Sequence, residues 1–240
     1  MNKRYPLIDA LRGICIILVV FHHLVYDLDT VLGLRSDFFS SSLFFFLRLI
    51  VVWSIFITSG ISTALSHNNF KRAGQTIAAA MLITVVTAVF YPEGLITFGV
   101  LHCLGACRLI WALGFDRFTR CYPLSAALVF AFIAAVFSRV DRGVVVIPFG
   151  EALVLPTVRG LGWLGFPDDS FISADWFPLM TWAPVYFIGG ALGVYWQRWG
   201  FPVLFERDAM PVLSYIGRHT LVVYLLHQPI LMGIVTLAAR

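Results

Sequence analysis

Arg12 and His23 stand eleven residues apart in a run that is otherwise almost wholly apolar. Eleven residues are nearly three turns of an α-helix, so the two side chains share one face about 16 Å apart along its axis. Asp9 precedes Arg12 by three residues and Asp27 follows His23 by four, both pairing distances on a helix. The face therefore reads Asp9, Arg12, His23, Asp27. A carboxylate one turn from an imidazole can fix its tautomer and stabilise the imidazolium that forms in general-base chemistry. The plainer reading is that Asp9 and Arg12 anchor the helix at one membrane surface while His22 and His23 sit in the other. The shared register of Arg12, His23 and Asp27 favours chemistry.

Other apolar segments carry polar groups at a similar depth. Arg48 enters the second apolar run, His102 closes Thr97-Phe98-Gly99-Val100-Leu101-His102, and Asp175 lies in Ser173-Ala174-Asp175-Trp176-Phe177-Pro178. Ionisable groups in such surroundings face a partner or a watery cavity, since each costs at least ~2.5–3.5 kcal/mol at a bilayer centre. They are expected to converge with the outer end of the first helix. His227, inside Tyr224-Leu225-Leu226-His227-Gln228-Pro229, reads as structural. Arg218 and His219 open the last helix where an anionic ligand could be met.

These residues need helices to position them, and the composition says what solvent those helices occupy. Of 240 residues, 60% are hydrophobic and 12% charged, with mean hydropathy +0.87. A soluble domain carries roughly a quarter charged residues. Several apolar runs reach the ~20 residues that cross a ~30 Å hydrocarbon layer. The expected fold is an all-α, polytopic transmembrane bundle forming one domain over residues 1–240. Spans are placed at about 7–27, 43–66, 75–91, 95–114, 121–138, 176–196 and 219–239. Pro148, Glu151, Pro156 and Arg159 interrupt 143–166, which is read as a packed or re-entrant segment, with an eighth span as the alternative.

The loops set the direction. With the N-terminus cytoplasmic, Lys3, Arg4, Lys71, Arg72, Arg117, Arg120, Arg198, Arg207 and Arg218 fall inside, and Arg35, Arg139, Arg142, Arg159 and Arg240 outside. That asymmetry matches the positive-inside rule. The acidic loop residues, Asp37 among them, lie mostly outside. The net charge of +4 is scattered over short loops rather than gathered in a stripe, which excludes a nucleic-acid partner. Asp9 and Arg12 interrupt the first apolar run and no cleavage site follows, so it is a retained span rather than a signal peptide. Cys103 and Cys107, beside His102, lack the further ligands a metal site requires. The cysteines read as packing residues and no metal is expected.

The opening Ile8-Asp9-Ala10-Leu11-Arg12-Gly13-Ile14 followed by His23 resembles membrane acyltransferases, both the acyltransferase-three family and the catalytic-domain family of heparan-α-glucosaminide N-acetyltransferase. Ser54–Ser62, Phe98–His102, Asp175–Leu179 and Tyr224–Pro229 are similar, in order, to bacterial members of the second family. The resemblance implies transfer of an acyl group, typically acetyl, from cytoplasmic acyl-CoA to an amine or hydroxyl acceptor, such as a saccharide, at the outer side of a bacterial inner membrane. Acetyl-CoA would be a co-substrate, with no permanently bound cofactor. His23 matches the motif histidine and is the implied catalyst, supported by Asp27. Asp9, Arg12, Arg48, His102 and Asp175 are the implied substrate-binding residues, Arg12 holding the thioester arm and Arg48 or His102 meeting the oxyanion. Trp176 and Thr181 stand where tyrosine and proline are usual in that family, which leaves the acceptor open. The rival class is a transporter or proton-coupled carrier, since buried Asp, Arg and His also line substrate paths. Paired internal repeats, frequent in carriers, are not evident here.

Overall fold

The computed structural model describes residues 4–33, 41–147, 150 and 152–238. Lys3, Arg35, Asp37, Pro148, Glu151 and Arg240, used above for topology, lie outside the described residues. The chain is 73% helical. In chain order the helices are α1 (Pro6–Leu32), α2 (Ser42–Ala64), α3 (Asn69–Phe90), α4 (Val100–Ile110), α5 (Asp116–Cys121), α6 (Pro123–Val136), α7 (Leu179–Trp199), α8 (Pro211–Arg218) and α9 (Thr220–Ala238). Five stretches are long and apolar enough to cross a membrane: Pro6–Asp29, Ser42–Ala64, Asn69–Phe90, Pro123–Arg142 and Thr220–Ala238. The protein is an integral membrane protein of all-α class.

The helix surfaces show why. On α9, Val222, Leu226, Ile230, Ile234 and Leu237 are exposed, each at more than half of its full area, while His227, Leu231 and Val235 are buried. The two sets lie on opposite faces at helical spacing. Exposed aliphatic side chains in so regular a stripe are suited to lipid, where they displace no water. α3 repeats the pattern, with Met81, Leu82, Val85 and Val89 outward and Ala73, Ala79 and Ala80 inward.

The chain divides into two compact units, Met1–Thr58 with Phe201–Arg240, and Ser59–Gly200. In the first, α1 packs against α8 and α9. Pro6 fits the first helical turn, where its missing N–H has no partner to lose. Gly33, at φ 62°, ends α1 in the left-handed conformation that glycine adopts freely. The crossing of α1 and α8 is backbone on backbone. A Cβ on Gly13 would collide with the Leu213 carbonyl, and one on Gly217 with the Asp9 carbonyl. Small residues permit that closeness.

In the second unit, α3 packs on α4 and α6 on α7. The C-terminal half of α2 meets α7 through Gly60, where a Cβ would strike the Tyr186 carbonyl, and through Gly193, which abuts Ile61. The structure differs here from the sequence-based spans. The third helix begins six residues earlier than expected, because the Asn68 side chain accepts from the Lys71 N–H at 3.2 Å and caps it. Lys71 and Arg72 therefore belong to a helical turn rather than a loop. The expected span 95–114 is an eleven-residue α-helix continued by a π-turn at Trp111–Phe115, inside which Gly114 takes φ 135°. Over 143–166 the described residues form no helix. Val144–Val145 pairs antiparallel with Leu153–Val154, so no eighth span is present in the described part of this segment.

Candidate functional site

The first unit brings α1 and α9 together around three histidines. The His23 ring lies 4.9 Å from that of His227 and 5.4 Å from that of His22, centroid to centroid, and His22 stacks on Phe44 at 5.2 Å. His227 is buried, and its Nδ1 lies 2.6 Å from the Tyr224 carbonyl oxygen. A carbonyl only accepts, so Nδ1 carries a proton. That Nε2 is buried and has no partner among the described residues. Beside His23 there is thus a buried imidazole with an unpartnered ring nitrogen among the described residues.

Asp27, 2% exposed, is placed differently from the sequence expectation. Its two carboxylate oxygens accept from the Gln228 side-chain N–H₂ at 2.9 and 3.1 Å. The carboxylate therefore fixes α9, one residue after His227, where a hydrogen bond to His23 was expected. Gln228 is thereby oriented with its amide oxygen buried and without a partner among the described residues. Buried acceptors left unmade are costly. Their gathering beside a motif histidine suits a ligand that brings N–H or O–H groups.

At the other end of the same face, Arg12 Nη1 lies 4.0 Å from Asp9 Oδ1, with side chains 23% and 19% exposed. Both residues flank the Gly13–Gly217 crossing, so helix packing sets their positions. Arg48 is exposed, its guanidinium 5.9 Å from the Phe45 ring centre.

The second unit gathers His102 and Asp175 at the N-terminus of α4. The His102 Nδ1 accepts from the Gly99 N–H at 3.1 Å. Its Nε2 must then carry the proton, donated to Thr84 Oγ1 at 3.0 Å, and Thr84 in turn donates to the Ile96 carbonyl at 2.7 Å. Both ring nitrogens are used, so His102 ties α3 to α4. Asp175 Oδ2 accepts from the Val100 N–H at 3.1 Å and supplies a negative charge at the helix start. Ser173 Oγ accepts from the Thr97 and Phe98 N–H groups and donates to the Asp175 carbonyl. The Ala174 and Phe177 N–H groups bind the Leu95 and Phe98 carbonyls. These hydrogen bonds, made outside any helix, are why α4 and α7 each start later than the apolar runs imply. Trp176 Nε1–H donates to the Gly162 carbonyl at 3.0 Å, and Thr181 to the Phe137 carbonyl at 3.0 Å. Both residues that depart from the family pattern therefore tie this unit to itself.

A further cluster escaped the sequence reading. Arg108 Nε donates to Thr63 Oγ1 at 3.1 Å and reaches Tyr186 Oη at 3.5 Å. Thr63 and Tyr186 are fully buried and hydrogen-bonded to each other. Arg108 is a charge inside the apolar run 95–114, so the argument applied to Arg12 would have found it. Gln228 had no such signal, because amides are common at helix ends. Among the described residues no group of three or more His, Cys, Asp or Glu side chains is placed to hold a metal ion.

The family model described as heparan-alpha-glucosaminide N-acetyltransferase, catalytic, matches residues 4–229, nearly the whole chain. No curated protein and no solved structure matches the chain.

Proposed function

Because the chain belongs to the heparan-alpha-glucosaminide N-acetyltransferase catalytic family and is a membrane acetyltransferase, we propose that it transfers an acetyl group from cytoplasmic acyl-CoA to an amine or hydroxyl of a saccharide at the outer face of a bacterial inner membrane. The observation that carries the reading is His23 on α1, set 4.9 Å from a His227 whose buried Nε2 has no partner among the described residues. His23 takes a proton from the acceptor as the acceptor's nitrogen or oxygen attacks the thioester carbonyl. The tetrahedral intermediate then expels the CoA thiolate, which takes that proton and leaves as the thiol. The products are the acetylated acceptor and CoA.

The remaining residues divide by what they touch. Arg12, about 16 Å from His23 on one unbroken helix, holds the donor's arm at the inner end, with Asp9 beside it. Asp27 acts through Gln228, keeping α9 in register so that His227 faces His23. Arg48 is the better candidate for the developing oxyanion, a role worth roughly 3–4 kcal/mol for one well-placed donor, since both nitrogens of His102 are occupied. Asp175 and His102 hold α4 in place for the acceptor side. Family membership favours transfer over the carrier alternative.

The test is donor turnover. Purified protein in nanodiscs, given acetyl-CoA and an amino sugar, should release free CoA thiol in proportion to acetylated sugar. Acetyl-CoA left intact with every amine and hydroxyl saccharide tried would contradict the proposal.

A further inference from the structure

Arg108 is a fixed charge without a counter-ion among the described residues. Its Nε is shared between two buried hydroxyls, and those hydroxyls are spoken for. Thr63 donates to the Ser59 carbonyl at 2.9 Å, so Tyr186 must donate to Thr63, and both oxygens face the guanidinium as neutral acceptors. Among the described residues Arg108 has no carboxylate partner. A guanidinium in an apolar helix with only neutral partners favours an anion strongly, because little water is there to screen it. Anchoring through Nε leaves the two terminal NH₂ groups as a pre-oriented fork, the geometry that binds phosphate oxygens in pairs.

The surroundings point the same way. Thr63 lies one residue before the end of α2, and Asn69 is the first residue of α3. The Asn69 side-chain N–H₂ donates to the Thr63 and Ser66 carbonyls at 3.0 and 3.3 Å, which fixes the amide orientation. Its Oδ1 is then buried and without a partner among the described residues. Lys71 and Arg72 follow in the first turn of α3, both exposed. At the same end, Arg120 donates to Gln197 Oε1 at 3.4 Å while Gln197 donates to the Ala64 carbonyl at 3.2 Å. One end of this unit therefore holds an anchored fork, an amide oxygen unpartnered among the described residues, and the exposed cations Lys71 and Arg72.

We infer that Arg108, held by Thr63 and Tyr186, is a phosphate-binding residue that receives the phosphates of the acyl donor. The inference rests on the acyl-CoA reading above. The ligand chemistry is a phosphate ester beside an N–H donor. Acyl-CoA offers both, as phosphates and pantetheine amides, and a phospholipid headgroup would offer the first.

Two donors separate these sources. Acetyl-CoA carries phosphates, and S-acetylpantetheine carries the same thioester and amides without them. Arg108→Gln should raise KM for acetyl-CoA at least tenfold and leave kcat/KM for S-acetylpantetheine within twofold. Arg108→Lys serves the same comparison should the glutamine variant fail to fold. Equal losses with both donors, or none with either, would overturn the assignment, since a fold or lipid role cannot distinguish them. Calorimetric titration with CoA, which needs no turnover, should show the same weakening in the variant. Unaltered protein that binds CoA yet turns over neither donor would refute the transfer reading and leave the phosphate site standing. Unchanged CoA affinity in the variant would refute the site.

Discussion

Replacing His23 with alanine is expected to remove most acetyl transfer while leaving the helices folded. A positioned general base contributes typically about 10²–10⁴-fold, so turnover should fall by at least about a hundredfold. The fold should survive because His23 is only partly buried and makes ring contacts rather than a hydrogen bond that holds two helices together. Thermal melting in detergent checks the second half of the statement. His23→Gln sharpens it, since glutamine keeps polar volume but cannot take the proton at neutral pH. Turnover near the unaltered rate in either variant would remove His23 from the chemistry. His227 would then be the neighbouring imidazole to test, its Nε2 buried and without a partner among the described residues.

The second large effect is structural. Gly217→Ala adds a methyl group where the Asp9 carbonyl already stands, and Gly13→Ala adds one against the Leu213 carbonyl. Neither obstacle is a flexible side chain, so one helix must move. Overpacking of this kind costs typically about 1–3 kcal/mol and occasionally more. At about 2–4 °C per kcal/mol for a chain of this size, each variant should melt several degrees lower. Activity should suffer too, because Asp9 and Arg12 flank the contact. Melting temperatures equal to the unaltered protein would show that α1 and α8 do not cross this closely.

How much of this was legible beforehand depended on the range of each interaction. The face Asp9, Arg12, His23, Asp27 needed only helical periodicity, and α1 is one unbroken helix across all four. The apolar runs carried the membrane character for the same reason. The partner of Asp27 was not legible, since Gln228 lies 201 residues away and amides give no periodic signal. The neighbour at four residues' distance, His23, was the natural guess and is not the recorded partner. Asp175 looked like a substrate ligand because it is acidic and near an apolar run. Its contact with the Val100 N–H, across 75 residues, makes it a cap for α4. The hydrogen bonds between 95–98 and 172–177, made by irregular backbone and Ser173, explain why hydropathy alone started two helices too early. Arg108 is legible in the sequence as a charge inside an apolar run, but its partners Thr63 and Tyr186 lie 45 and 78 residues away and give no local signal.

The central claim is directional transfer, from a donor at the end carrying Arg12 to an acceptor at the end carrying His23. It is tested most directly in proteoliposomes with the protein inserted in one known orientation. Labelled acetyl-CoA is confined to the side bearing the N-terminal end of α1, and the amino sugar to the other. The expected result is labelled sugar on the far side, with no product when the two compartments are exchanged. Product formed only when donor and acceptor share one compartment would contradict transfer across the membrane.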